Sequence, residues 1–299
     1  MRRAFCDGMV ALCDDPDLVF LTGDLGFNAL EPVRDRLAGR FINAGVAEQN
    51  MVGCGAGLAR AGFRPWLYSI APFLYARAFE QIRNDVCLHN LPVVLVGNGG
   101  GYGYGVMGAT HHALEDYGVL LSLQDMRVLI PAFDSDLSVI LPGLLRSAGP
   151  AYLRLGMQAP NLPEEPPWYQ VWRKLLSGKN GLLISVGPLA GFHWQGLAEL
   201  SEVDRPTIWC LAELPIRELP DVLLQDIRRS GLIVFAEEHV ACGSAGREFS
   251  QLLLQQKVGD VNFVHLTAKG YPSGRYGSQG FHRTQSGLDE ASVRTLFGA

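Results

Sequence analysis

The chain has 299 residues, 48% of them hydrophobic and 18% charged, with a formal net charge of −5. That length allows two domains with a core each. The mild acidity leaves no basic footprint for nucleic acid or a membrane surface, and no apolar run approaches the ~20 residues of a membrane span.

Met1 to Leu12 reads as a first helix, with two arginines but neither a long apolar stretch nor a small-residue cleavage site. Asp17 to Thr22 predicts a strand that runs into Gly23-Asp24-Leu25-Gly26, where Asp24 has the position of a turn residue. Phe41-Ile42 leads through Asn43-Ala44-Gly45-Val46 to a helix beginning near Ala47 and capped at its end by Gly62. Glu48 falls at that junction. It is either a carboxylate at the mouth of a sheet, where open α/β folds bind ligands, or a first-turn acid favoured by the helix dipole. Gly53, Cys54, Gly55, Ala56 and Gly57 follow. Each glycine weakens a helix by roughly 0.5–1 kcal/mol, a cost accepted where something packs closely on the backbone.

Arg64 to Ser69 predicts a second strand and Phe73 to Arg83 a helix with Phe73 and Phe79 on its inner face. Leu91 to Gly97 is a near-continuous apolar run, typical of a parallel strand buried on both faces. Asn98 to Gly108 is a glycine-rich, flexible loop. Gly103 to Gly108 formally spells G-x-G-x-x-G, but no helix opens at once and no acid follows ~20 positions on at a strand end, so a dinucleotide site is not inferred. Met126 to Pro131 and Tyr152 to Gly156 predict further strands, with Asp134-Ser135-Asp136 capping a helix between them. Gly156 to Pro167 is proline-rich and aperiodic, a linker. Beyond it, Leu182 to Val186, Thr207 to Leu211, Ile233 to Ala236 and Val261 to Leu266 predict strands alternating with helical segments. Gly274 to Thr284 is polar and glycine-rich and reads as a mobile loop, within which His282 has no assigned role. The expected fold class is therefore α/β, with two parallel-sheet α/β domains: residues 1–157, a linker over 158–173, and residues 174–299.

Gly45-Val46-Ala47-Glu48-Gln49-Asn50-Met51, then the small-residue helix and Gly62-Phe63-Arg64-Pro65, resembles the pyrimidine-binding domain of transketolases. The resemblance continues from Pro72 to Arg83, from Leu91 to Gly97, from Gly108 to Asp116 and from Pro150 to Leu155. Glu237-Glu238-His239 with Gly243-Ser244-Ala245-Gly246 is similar to the transketolase C-terminal domain. Ordered motifs of this kind are more specific than any one of them. The resemblance implies thiamine diphosphate chemistry, with Glu48 hydrogen-bonded to N1′ of the aminopyrimidine. Phe73, or else Tyr75, stacks on that ring, and Asp24 approaches the cofactor across a subunit interface. His111 contacts the substrate or intermediate, and its imidazole suits proton transfer near neutrality. His112 is either a second contact or the first residue of the next helix. Arg77 and Asn98 are counted among the substrate contacts, and Arg154 grips a substrate phosphate, for which a planar fork is well shaped. Asn28 stands where the family has a phosphate-binding Ser, and Met107 where it has an Asp that reads a donor hydroxyl. Glu115-Asp116 matches a family acidic pair and is equally a helix-start pair.

The resemblance covers the last two domains of a transketolase. Gly23-Asp24-Leu25 lacks the third residue of the G-D-G motif that helps hold Mg²⁺ in the diphosphate-binding half, and Asn43 comes too soon after it. No metal ligands are therefore expected in this chain. The expectation is the small subunit of a split transketolase, sharing thiamine diphosphate and Mg²⁺ with a separate diphosphate-binding chain in a heterotetramer. The reaction implied is transfer of a two-carbon ketol unit from a ketose, in phosphorylated form, to an aldehyde. One alternative is the β subunit of the decarboxylating component of a 2-oxoacid dehydrogenase. Its corresponding segments read nearer F-x-D-Y and H-S-Q, where this chain has R-A-F-E-Q and T-H-H. Another is a non-catalytic homologue, against which Glu48, Phe73, His111 and Arg154 count. The six cysteines lie far apart with no C-x-x-C, which fits free thiols in a reducing cytoplasm rather than a zinc site.

Overall fold

Two sheets organise the chain, and the computed structural model describes residues 1–259 and 261–298. The first holds β1 (Leu18–Thr22), β2 (Phe41–Asn43), β3 (Arg64–Ile70), β4 (Val94–Asn98), β5 (Arg127–Leu129) and β6 (Ala151–Leu155). The second holds β7 (Trp172–Leu176), β8 (Leu182–Val186), β9 (Thr207–Leu211), β11 (Leu232–Ala236) and β12 (Asn262–Leu266). Between β9 and β11 a short strand, β10 (Glu213–Leu214), crosses back to the first sheet and pairs antiparallel with β5. The strand orders are β10-β5-β6-β4-β3-β1-β2 and β12-β11-β8-β9-β7. All other pairings are parallel except β7 with β9.

Parallel strands covered on both faces need apolar side chains at every position. β1, β6 and β8 are buried throughout. One face of the first sheet packs Phe5, Phe20, Trp66, Tyr68 and Leu141, from the helices Arg2–Leu12 and Leu137–Leu145 and from strands. The other face carries Val128, Leu95 and Tyr152 into a cluster that continues through Leu182, Trp209 and Phe235 of the second sheet. The two sheets thus share apolar core, and β10 ties the chain of the second back to the edge of the first.

Three expectations need correction. The linker range 158–173 is cut short, because β7 begins at Trp172. Arg173 there is buried and donates to both oxygens of Asp136, at 2.7 and 2.8 Å. The helix expected over Phe73 to Arg83 is broken into Ala71–Tyr75, Phe79–Gln81 and a π-helical turn, Ile82–Cys87, with residues 76–78 in a turn. Such interruptions recur at functional sites, and here the break carries Arg77 out toward Glu48. The segment Gly274 to Thr284 is not all loop, since a helix runs from Gln279 to Ser286 and buries Gln279, His282 and Arg283.

The helix Glu48–Arg60 ends as expected, with Gly62 at φ +96° accepting a conformation that other residues resist. Of its small residues, Gly55 does the close packing: a Cβ there would lie 2.9 Å from Leu67. A Cβ on Gly53 or Gly57 would meet nothing within 4 Å among the described residues.

Candidate active site

The carboxyl ends of β1, β3 and β4 converge, as the register Thr22↔Tyr68 and Ile70↔Asn98 requires. Open α/β sheets bind ligands in the crevice at such ends. Glu48, first residue of its helix, projects there with only 1% of its surface exposed. Ser69 Oγ, near the end of β3, donates to Glu48 Oε1 at 3.1 Å. Gly23, just after β1, lets the backbone close on the carboxylate, since a Cβ there would sit 3.3 Å from Oε1. Arg77 Nη1 donates to Glu48 Oε2 at 2.5 Å. The Arg77 guanidinium also lies over the Phe73 ring, 4.7 Å from its centroid. His111 meets the same ring edge-on at 5.1 Å, and Tyr104 lies 5.7 Å from His111. Asn98 donates through Nδ2 to the Tyr104 hydroxyl at 2.7 Å. Thr110 Oγ1 and His111 Nδ1 are 2.9 Å apart, and His111 Nε2 has no protein partner among the described residues. Glu48, Phe73, Arg77, Asn98 and His111 therefore form one continuous group, with Ser69 and Tyr104 as members that sequence reading missed. Ser69 is signalled only by its place near the end of β3, which lies one strand away, across β1, from the β2 that leads to Glu48.

Asp24 is exposed beside Gly23, with φ +54°, and accepts from Asn43 Nδ2 at 2.8 Å. Asn28 is also exposed, and lines a groove with Arg2, Cys6 and Glu31, whose Oε1 accepts from the Asn28 backbone N–H.

Three other expected site residues point elsewhere. Tyr75 turns into the core at 5% exposure and donates to Glu115 Oε2, while burial pushes its phenol pKa up. Phe73 is thus the aromatic that lies against the Arg77 paired with Glu48. His112 is buried: its Nε2 donates to Gly105 O at 2.8 Å, which leaves Nδ1 to accept from Tyr271 OH at 2.8 Å. Burial lowers its pKa, in keeping with a neutral ring fixed at the seam between the sheets. Arg154 is 5% exposed and already committed: Nε donates to Asp116 Oδ2 at 2.7 Å, and Nη2 to Ala113 O and Glu238 O. A buried cation must be paired, and Asp116 pairs it, so the guanidinium is a structural clamp rather than an open phosphate grip. Arg77, expected as a substrate contact, is held by Glu48 instead.

The Glu237-Glu238-His239 motif lies at the same seam. Glu237 accepts from Tyr117 OH, His265 Nε2 and the backbone N–H groups of Ala245 and Gly246. Burial works to raise its pKa, but these donors outweigh it and hold the carboxyl below its ordinary value. Glu238 accepts from Tyr102 N, Gln279 Nε2 and Arg283 Nε. His239 stacks on Tyr117 at 3.8 Å, and Tyr102 stacks on His282 at 4.9 Å. The C-terminal part thereby grips the loop that carries His111.

Residues 1–161 match the transketolase pyrimidine-binding domain family. One subunit of the apulose-4-phosphate transketolase of Actinobacillus succinogenes is 27% identical over 94% of this chain and 91% of its own length. The corresponding subunit from Phocaeicola vulgatus is 30% identical over 88% and 89%. A 1-deoxy-D-xylulose-5-phosphate synthase of Geobacter sulfurreducens is 32% identical over 91% of this chain but only 43% of its own length. A split-gene transketolase solved as an inactive beta4 tetramer superposes with a TM-score of 0.82 at 25% identity, covering 99% of this chain and 96% of that one. The chain belongs to the transketolase family. It is a C-terminal subunit of that family and a transferase of the transketolase type, and dependence on thiamine diphosphate comes with the pyrimidine-binding domain. No described helix is long and apolar enough to cross a membrane.

Proposed function

We propose that this chain works with a diphosphate-binding partner subunit to transfer a two-carbon ketol unit from a sugar phosphate to an aldehyde. The observation that carries the reading is the buried Glu48 carboxylate at the mouth of the sheet, with the Phe73 ring near enough for one guanidinium, that of Arg77, to touch both. These residues suit an aminopyrimidine: a buried acceptor, an aromatic face, and a flat nitrogen-rich group, Arg77, already lying against both. Thiamine diphosphate, when bound, supplies the electron sink that lets a carbon–carbon bond beside a carbonyl break. Glu48 is oriented by Ser69 to share a proton with the ring nitrogen, and Phe73 offers the stacking surface. His111, its Nδ1 engaged by Thr110, offers Nε2 to a substrate oxygen. Asp24, exposed beside Gly23, approaches the cofactor across the interface with a second chain in this reading.

Two relatives, each named as one subunit of an apulose-4-phosphate transketolase, support a partner chain and a phosphorylated sugar. We assign Mg²⁺ and the diphosphate grip to that partner, in a heterotetramer with two copies of each chain. The free cysteines fit a cytoplasmic enzyme. The division into two units, 1–157 bearing the ring site and the part from β7 onward buttressing it, is part of the same proposal.

The test is to purify the tagged full chain from its host, assay bound thiamine diphosphate, and compare ketol transfer by the wild type and Glu48→Gln. A co-purifying diphosphate-binding chain, bound cofactor and a loss of about 10²-fold or more in kcat for Glu48→Gln are expected. Recovery of the chain alone and cofactor-free leaves a non-catalytic homologue, and 2-oxoacid decarboxylation with a lipoyl acceptor transfers the reading to a dehydrogenase component.

A further inference from the structure

We infer that Arg77 is a built-in placeholder for the cofactor ring: its guanidinium occupies the slot between Glu48 and Phe73, and the ring enters as Arg77 leaves. The inference rests on the reading above of where the ring binds.

The guanidinium touches both surfaces that the ring needs. Its Nη1 is 2.5 Å from Glu48 Oε2 and its central carbon 4.7 Å from the Phe73 centroid. It is flat, donates N–H bonds and stacks on an aromatic face, as an aminopyrimidine does. The two cannot share one face of Phe73 and one carboxylate oxygen.

The exposures of the pair are unequal. The Glu48 side chain is 1% exposed and fixed by Ser69, whereas the Arg77 side chain is 40% exposed. Arg77 also lies in the turn at 76–78 that interrupts the helix, so moving it breaks no long helical ladder. One partner is anchored and the other is free to swing into water.

The chain also needs such a placeholder. A buried carboxylate left without a partner is costly, and the strained state would be the one awaiting cofactor. Arg77 satisfies Glu48 in the meantime. The consequence is that apparent cofactor affinity is reduced by the fraction of molecules in which Arg77 has left the slot.

The experiment uses the assembled enzyme, titrated calorimetrically with thiamine diphosphate and Mg²⁺, together with thermal melting of the cofactor-free chain. Arg77→Met is expected to bind thiamine diphosphate about 2- to 5-fold more tightly than the wild type, the size of a partly exposed ion pair. Its cofactor-free chain is expected to melt at a lower temperature. Arg77→Lys keeps the charge without the flat fork, and is expected to bind the cofactor more tightly by a smaller factor. It also serves if the methionine variant does not fold. Unchanged or weaker cofactor binding in both variants, while Phe73→Ala weakens it, overturns the placeholder and leaves the site standing. If Phe73→Ala and Glu48→Gln both bind cofactor as the wild type does, the ring does not lie there and both readings fall.

Discussion

Arg154 Nε donates to Asp116 Oδ2 at 2.7 Å with both side chains shut away from water, and the same guanidinium reaches Glu238 O across the seam between the two sheets. Tyr152 OH adds a second donor to Asp116 Oδ2. Removing one member of such a pair leaves the other charged and buried, which costs about 3–5 kcal/mol. Arg154→Met is therefore expected to lower the urea midpoint of the chain sharply, and Arg154→Met with Asp116→Leu to cost less than the two singly. A phosphate-binding Arg154 would behave otherwise, raising KM at unchanged stability.

Phe73 and Tyr75 separate in the same way. Phe73→Ala is expected to weaken thiamine diphosphate binding by roughly tenfold, since stacking on an aromatic contributes about 1–2 kcal/mol. Tyr75→Phe removes only the donor to Glu115 and is expected to cost about 1 kcal/mol of stability with cofactor affinity unchanged. Calorimetric titration of the assembled enzyme and urea unfolding of the chain read the two effects independently.

These contrasts mark what the sequence made legible. The strands could be read because runs such as Leu18–Thr22 and Leu182–Val186 are almost wholly apolar, as parallel strands buried on both faces tend to be. Glu48 could be read because a strand, a turn and a small-residue helix place it at a sheet mouth whatever its partners. Arg154 misled because its partner, Asp116, lies on another element, and no local pattern tells a paired guanidinium from a free one. The helix at Gln279–Ser286 was hidden for a related reason. Its buried residues are polar and bonded to Glu238, Gly277 and Tyr102, so no apolar period announces it. Tyr75 was the second choice beside Phe73, two positions along a helix that the Arg77 turn interrupts.

Tyr271 is expected to act on the site at a distance. Its hydroxyl fixes the neutral His112, whose other nitrogen holds Gly105 O in the loop that leads to His111. Tyr271→Phe leaves the buried Nδ1 without a donor, at a cost of about 1–3 kcal/mol. Faster amide hydrogen exchange across residues 101–113 is the expected signature, with a fall in kcat and little change in cofactor affinity. Unchanged exchange there would mean that the loop is held by Glu238 and Tyr102 alone.

Acid should unfold the chain through its buried histidines, and His193 is the clearest case. It is fully buried, with Nε2 donating to Leu288 O at 2.9 Å and Nδ1 accepting from Ser185 Oγ at 2.8 Å. Burial is the main cause that brings its pKa down from 6.5 to about 4, against the Leu288 carbonyl, which works to raise it. The unfolded chain therefore binds a proton at a pH where the folded chain does not, so stability rises with pH through this window. The contribution is complete above 6.5 and is lost as pH falls from there to about 4, amounting to about 3 kcal/mol at the acid end. His112, His239 and His282 are shifted the same way by burial and add to the slope. His193→Gln keeps a donor and an acceptor but cannot titrate. Its stability between pH 6.5 and 4, followed by urea midpoints, is expected to fall less steeply than that of the wild type, and identical slopes would show that His193 does not carry this loss.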